Sequence, residues 1–80
     1  MRLQVFVRLK EGVLDVQGKA VQNGLAHLGF EGIDNVRIGK LIELEVKAKD
    51  EEQARIKAKE ICEKLLVNPI IESYEIRSCS

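Results

Sequence analysis

The sequence predicts an α+β fold of the ferredoxin-like kind, βαββαβ, with a four-stranded antiparallel sheet and two helices on one of its faces. Three observations predict it. Apolar residues alternate with period two in four stretches and recur at helical spacing in two others. The six stretches run strand, helix, strand, strand, helix, strand. Eighty residues suffice for one domain, 1–80, with no linker or low-complexity tract to divide it.

Residues 2–9 read as the first strand, because Leu3, Val5, Val7 and Leu9 share one parity while Gln4, Phe6 and Arg8 share the other. Phe6 is the anomaly, an aromatic among the outward-facing residues. Lys10 to Asp15 form a loop with Gly12 at its turn. Residues 16–28 change to helical spacing, with Ala20, Val21, Gly24, Leu25 and Leu28 on one stripe. Asp15 is placed to cap this helix by accepting a bond from a backbone N–H two or three residues on, and Gly29 to stop it. Gly18 and Gly24 weaken the helix by up to about 1 kcal/mol each relative to alanine. For Gly24, on the stripe, close contact with the sheet is the expected reason.

Residues 35–39 and 41–48 read as two strands joined at Gly39-Lys40, a dipeptide suited to a hairpin turn. Asp50, with Gln53 three residues on, starts a second helix as a capping-box-like pair. Ala54, Ala58, Ile61, Cys62 and Leu65 form its expected buried stripe. Glu51 with Arg55 and Glu60 with Lys64 form i,i+4 pairs in the favoured order. Asn68-Pro69 ends the helix, and residues 70–77 form the last strand, with Ile70, Tyr74 and Ile76 on one face.

Two helices cover only one face of such a sheet. The open face is expected to carry Phe6, Arg8, Arg37, Leu41, Glu43, Glu45 and Ile71. Exposed apolar residues on an open sheet mark a partner-binding surface, and a domain this small buries only about 60% of its unfolded surface. A homo-oligomer built across sheet faces or edges is therefore expected. The alternative is that Phe6 and Leu41 shield each other on a monomer.

The charge balance is zero, with 13 Lys and Arg against 13 Asp and Glu. That argues against nucleic-acid and anionic-membrane partners, which call for a basic excess. No signal peptide or bilayer-spanning run is present, so the expected compartment is the cytoplasm. No C-x-x-C or Cys/His cluster points to a metal. His27 lies off the helix stripe with no nucleophile or orienting partner to make it a base. Cys62 reads as a small buried hydrophobe. Cys79, near the end of the chain, lacks the electropositive setting that a nucleophilic thiol needs.

Fold alone does not decide function, but specific options can be tested. A single-stranded RNA reader of this topology stacks bases on sheet aromatics, whereas Leu41-Ile42-Glu43-Leu44-Glu45 is acidic and has none. The first loop lacks the Cys pair of a soft-metal carrier and the Arg of an acylphosphatase-like phosphate cradle. A free-standing, ferredoxin-like, small-molecule-binding regulatory domain stays open.

Three segments resemble a known family. They are Leu9-Lys10-Glu11-Gly12-Val13-Leu14-Asp15-Val16-Gln17-Gly18 running into Ala20-Val21, then Val36-Arg37-Ile38-Gly39-Lys40 followed by Glu43-Leu44, and last the run from Cys62 through Asn68-Pro69 to Tyr74. In this order and spacing they resemble PurS, the small-subunit family of bacterial and archaeal phosphoribosylformylglycinamidine (FGAM) synthase. Two departures stand out. Val16 occupies a position where the family usually has Pro, which would pre-set the first helical turn, and Val67 replaces a usual Ala.

The resemblance implies a dimer or tetramer that assembles with a large synthetase subunit and a glutaminase subunit. The implied complex converts formylglycinamide ribonucleotide (FGAR), ATP and glutamine into FGAM, ADP, phosphate and glutamate, a step of purine synthesis. ATP and magnesium belong to the large partner, and the small subunit carries no cofactor and no catalytic residue. It bridges the other two and helps shield ammonia in transit. The implied contact residues are Lys10, Asp15, Gln17 and Gly18 in the first motif and Arg37, Gly39 and Lys40 in the second. Phe6 joins them from the open sheet face. Each has a plainer alternative: a cap for Asp15, turn requirements for the glycines, shielding of the sheet for Arg37.

Overall fold

The computed structural model describes residues 1–79. Ser80 and the side chain of Cys79, with its thiol, lie outside the described residues. The element order is β1 (Arg2–Leu9), α1 (Val16–His27), β2 (Lys40–Glu45), α2 (Glu51–Ile61), a wider π-type turn over Cys62–Leu66, and β3 (Glu72–Cys79). The sheet is antiparallel, in the order β2-β1-β3.

Two features of the expected architecture are corrected. The sheet has three strands, because residues 35–39 are extended but join no ladder. Asn35 sits at φ 56, in the left-handed region, and breaks the run at its start. The Ile38 N–H then donates to the Asp15 carboxylate at 2.7 Å instead of to a neighbouring strand. Gly39-Lys40 is consequently no hairpin turn, since Lys40 already opposes Val7 in β2. The second correction concerns the helices. Only α2 packs on the sheet, while α1 leans on no strand and not on α2.

The core follows from strand parity. Leu3, Val5 and Val7 are sealed beneath α2, which lays Ala54, Ala58 and Cys62 on them. The small side chains of Ala54 and Ala58 let helix and sheet approach closely. Val46 and Val67 close the two ends of this layer, with Ile42, Leu44, Tyr74 and Ile76 against it. Burial pushes the Cys62 thiol pKa up, with a smaller contribution from the Glu63 charge.

The expected α2 stripe is half right. Ile61 and Leu65 point to solvent, because the π-type turn rotates the chain and brings Leu66 and Val67 inward instead. The α1 stripe is largely uncovered, with Val21 and Leu28 exposed. Gly24 touches nothing that a Cβ would disturb, so close contact with the sheet is not its role.

Both helix caps form as expected. Gly18 N–H donates to Asp15 at 2.8 Å and Gln53 N–H donates to Asp50 at 2.9 Å. Lys64 pairs with Glu60 at 2.9 Å. Arg55 instead reaches the Ile76 carbonyl and Ser78 Oγ, fastening α2 to β3. His27 Nδ1 lies 2.9 Å from the Asn23 carbonyl oxygen on an exposed turn of α1.

The outcome is a long, thin molecule of 51 × 27 × 14 Å with a radius of gyration of 16.0 Å. A compact chain of this length has a radius of about 12 Å. The accessible surface is 6197 Å², where a folded monomer of this mass exposes about 4,900 Å².

Candidate functional site

The site lies where the β1–α1 loop meets the extended segment 35–39. Asp15 anchors it and is buried. One carboxylate oxygen accepts the Gly18 N–H and the other accepts the Ile38 N–H, so a single side chain caps α1 and holds the crossing segment. The Ile38 bond, the Gly18 bond and the Arg37 charge hold its carboxyl below the ordinary value of 3.8 against the opposing effect of burial. Gly18 is buried beside it, because a Cβ at that position would collide with the Val36 carbonyl oxygen. The helix therefore docks against backbone, and only glycine allows the approach.

Arg37 does not lie on the sheet face. Its guanidinium turns back on the loop and donates to the carbonyls of Val13 and Lys10, both at 3.2 Å, and more loosely to Leu9 at 3.5 Å. It staples a loop that carries the exposed side chains of Glu11 and Leu14. Gly39 crosses β1 so closely that a Cβ would come within 2.6 Å of the Val7 carbonyl oxygen. Lys10 reaches away, donating to the Pro69 carbonyl at 2.7 Å and tying the loop to the turn before β3. Lys40 lies 3.5 Å from Glu72.

The structure brings most of the sequence candidates together. Asp15, Gln17, Gly39 and Lys40 line one small hollow of about 260 Å³ with Glu72. Phe6, Arg37, Gly39 and Lys40 line a larger open cleft of about 960 Å³ with Arg8 and Gly12. Lys10 stands apart from both. Phe6 is half-buried on the open sheet face, opposite Leu41 and Glu75, with the Arg77 guanidinium 4.6 Å from its ring centre.

Sequence reasoning missed Glu72 and placed Arg8 on the open sheet face without naming it among the contact residues. Glu72, besides pairing with Lys40, accepts the Asn68 N–H at 2.7 Å and so fixes the Asn68-Pro69 turn. Arg8 shares the parity of Phe6, and that was the signal for it.

One consequence is measurable. Asp15→Asn keeps the shape but turns an amide NH₂ toward one of the two N–H donors, and the bond there is lost. The carboxylate pKa is lowered on folding, so its contribution is complete above the ordinary value and fades as pH falls through the folded one. Thermal melts of the wild type and Asp15→Asn should differ most at neutral pH, with the wild type the more stable. The two should converge as the pH falls below about 4.

Comparison with known proteins agrees with this architecture. The profile of the PurS family, described as phosphoribosylformylglycinamidine (FGAM) synthase, matches residues 2–79. The PurS subunit from Synechocystis is 46% identical over 71 residues, 89% of this chain and 71% of that protein. The subunit from Bacillus subtilis is 45% identical over 73 residues, 91% of this chain and 86% of that one. Among solved structures, Methanocaldococcus jannaschii PurS superposes with a TM-score of 0.85 at 37% identity, covering 95% of this chain and 92% of that one. A chain in the structure of PurLQS from Thermotoga maritima reaches a TM-score of 0.89 at 35% identity, covering 98% and 95%. Matched in sequence from residue 2 to residue 79 and in fold to these structures, the chain belongs to the PurS family of phosphoribosylformylglycinamidine synthase subunits.

Proposed function

We propose that this chain is the non-catalytic assembly subunit of its synthase, a homo-oligomer that bridges a large synthetase subunit and a glutaminase subunit. The complex converts FGAR to FGAM with ATP and glutamine, in the cytoplasm, and ATP and magnesium act on the large subunit. One observation carries the reading: the chain leaves about 1,300 Å² more surface exposed than its mass calls for, more than one partner's share of a standard interface of about 800 Å². Along α1 and the segment after it, Val21, Leu28, Phe30 and Ile33 face solvent. The outer edge of β2 adds a row of backbone groups without a strand partner.

The side chains of the site support a structural role. Asp15 is engaged by two amides, Arg37 by loop carbonyls and Lys10 by the Pro69 carbonyl, so each holds backbone in place. No described helix is long and apolar enough to cross a membrane. The zero net charge fits recognition through local patches of protein surface.

Light scattering of the purified chain should report a mass of at least a dimer, and affinity purification from native extract should retain both larger subunits. A monomer that retains neither would overturn the reading. It would turn attention to a regulatory domain, which a melting shift with a small ligand would reveal.

A further inference from the structure

We propose that the open cleft between β1 and residues 35–40 receives an extended acidic segment of a partner polypeptide in the synthase, an inference that rests on the assembly role above. The cleft measures about 960 Å³ and carries Arg8, Arg37 and Lys40 against one carboxylate, Glu11. The chain as a whole is neutral, so this concentration of cations is local. None of the three charges is fully answered within the chain. The Arg37 hydrogen bonds go to neutral carbonyls, and the carboxylate its charge acts on, Asp15, is already engaged by the Gly18 and Ile38 N–H groups. Lys40 meets Glu72 at 3.5 Å, and the other oxygen of that carboxylate is taken by the Asn68 N–H. Arg8 has no ion pair among the described residues. Glu75, whose carboxyl it helps hold low, is occupied at both oxygens by Arg77 at 3.2 Å.

Two further features favour a polypeptide over a free anion. The cleft is open along one side and has the apolar side chains of Phe6 and Ile38 in its lining, unlike the enclosing pockets that bind small molecules. Its rim, residues 36–39, lies outside any ladder, and among the described residues the Ile38 N–H is the one committed there, to Asp15. Such a rim can pair with an incoming strand while the basic side chains read its acidic residues. Carboxylates fit this arrangement because guanidinium groups bind them through paired N–H donors.

Two experiments test it. In the first, affinity for the synthetase and glutaminase subunits is measured from about 50 to 300 mM salt for wild type, Arg8→Lys and Arg8→Glu. Arg8→Glu should weaken binding to one subunit at least tenfold and flatten its salt dependence, Arg8→Lys should retain most of it, and self-association should not change. In the second, amide NMR shifts of the assembled homo-oligomer are followed with a hexaglutamate peptide, with inorganic phosphate and with ATP. The peptide alone should move residues 8 and 36–40. Unchanged affinity and salt slope in Arg8→Glu would overturn the proposal. So would shifts with phosphate or ATP as large as with the peptide, which would mark a small-anion site. Loss of self-association alone would place the cleft between copies of this chain and overturn it too. A wild-type chain that binds neither subunit overturns the assembly role itself, which separates that failure from the others.

Discussion

Gly18→Ala is expected to lower the melting temperature by about 4 to 16 °C. A methyl group there meets the Val36 carbonyl oxygen, and backbone is the neighbour least able to yield. Overpacking of this kind costs about 1–3 kcal/mol, and each kcal/mol moves the midpoint of a domain this size by about 4–8 °C. Alanine is the better helix former, by up to about 1 kcal/mol, so the clash must exceed that gain before it shows. Gly24 supplies the control. It lies in the same helix, and a Cβ there would meet nothing within 4 Å, so Gly24→Ala gains the helix propensity without the clash. Thermal melts of the two variants should move in opposite directions. A Gly18→Ala protein that melts with the wild type would mean that α1 does not dock on residues 36–38 as described.

Arg37→Ala is expected to act on assembly more than on folding. The side chain is exposed, so its removal should lower the melting temperature by only a few degrees. It releases the carbonyls of Lys10 and Val13, however, and frees the loop between β1 and α1. Amides 10–13 should then exchange with solvent faster while those of β1 stay protected. Affinity for the larger subunits should fall about tenfold, since a loop that must be ordered on binding loses much of the advantage of preorganisation. Arg37→Lys should not restore it, because one ammonium cannot span carbonyls held by a planar fork. Full affinity in Arg37→Ala would show that the staple is only structural.

These two residues also mark what was legible in the sequence. Asp15 could be read as a cap because the cap rule is local: one side chain, one helix start, three residues of spacing. β1 and the buried face of the sheet were equally readable, since Leu3, Val5 and Val7 alternate without interruption. The fourth strand was not. Val36 and Ile38 carry the right parity, but whether a short extended segment joins a ladder depends on what its N–H groups meet, and here one meets the second oxygen of Asp15. That bond spans 23 positions and leaves no mark on local periodicity.

The same limit explains the helices. Ala54 and Ala58 announce a close-packed face, and α2 delivers it. The stripe of α1 is as apolar in pattern, yet among the described residues no strand or helix packs on it. An amphipathic pattern says that a face is to be buried and does not say by which molecule. For the candidate site, the resemblance named contact residues but not the physical duties the structure gives them. Arg37 was placed on the sheet and proves to hold a loop, and Gly39 was read as a turn residue and proves to let the chain lie close against the Val7 carbonyl of β1.

Reconstitution decides whether this chain contributes assembly and no chemistry. FGAM formation from FGAR, ATP and glutamine should be measured with the synthetase and glutaminase subunits, with and without this chain, and with this chain alone. The expected result is no turnover by the chain alone and a gain of about 100-fold when it joins the two larger subunits, the scale on which linking partners raises their effective concentration. Full glutamine-dependent activity in its absence, or turnover by the chain on its own, would refute the assembly role.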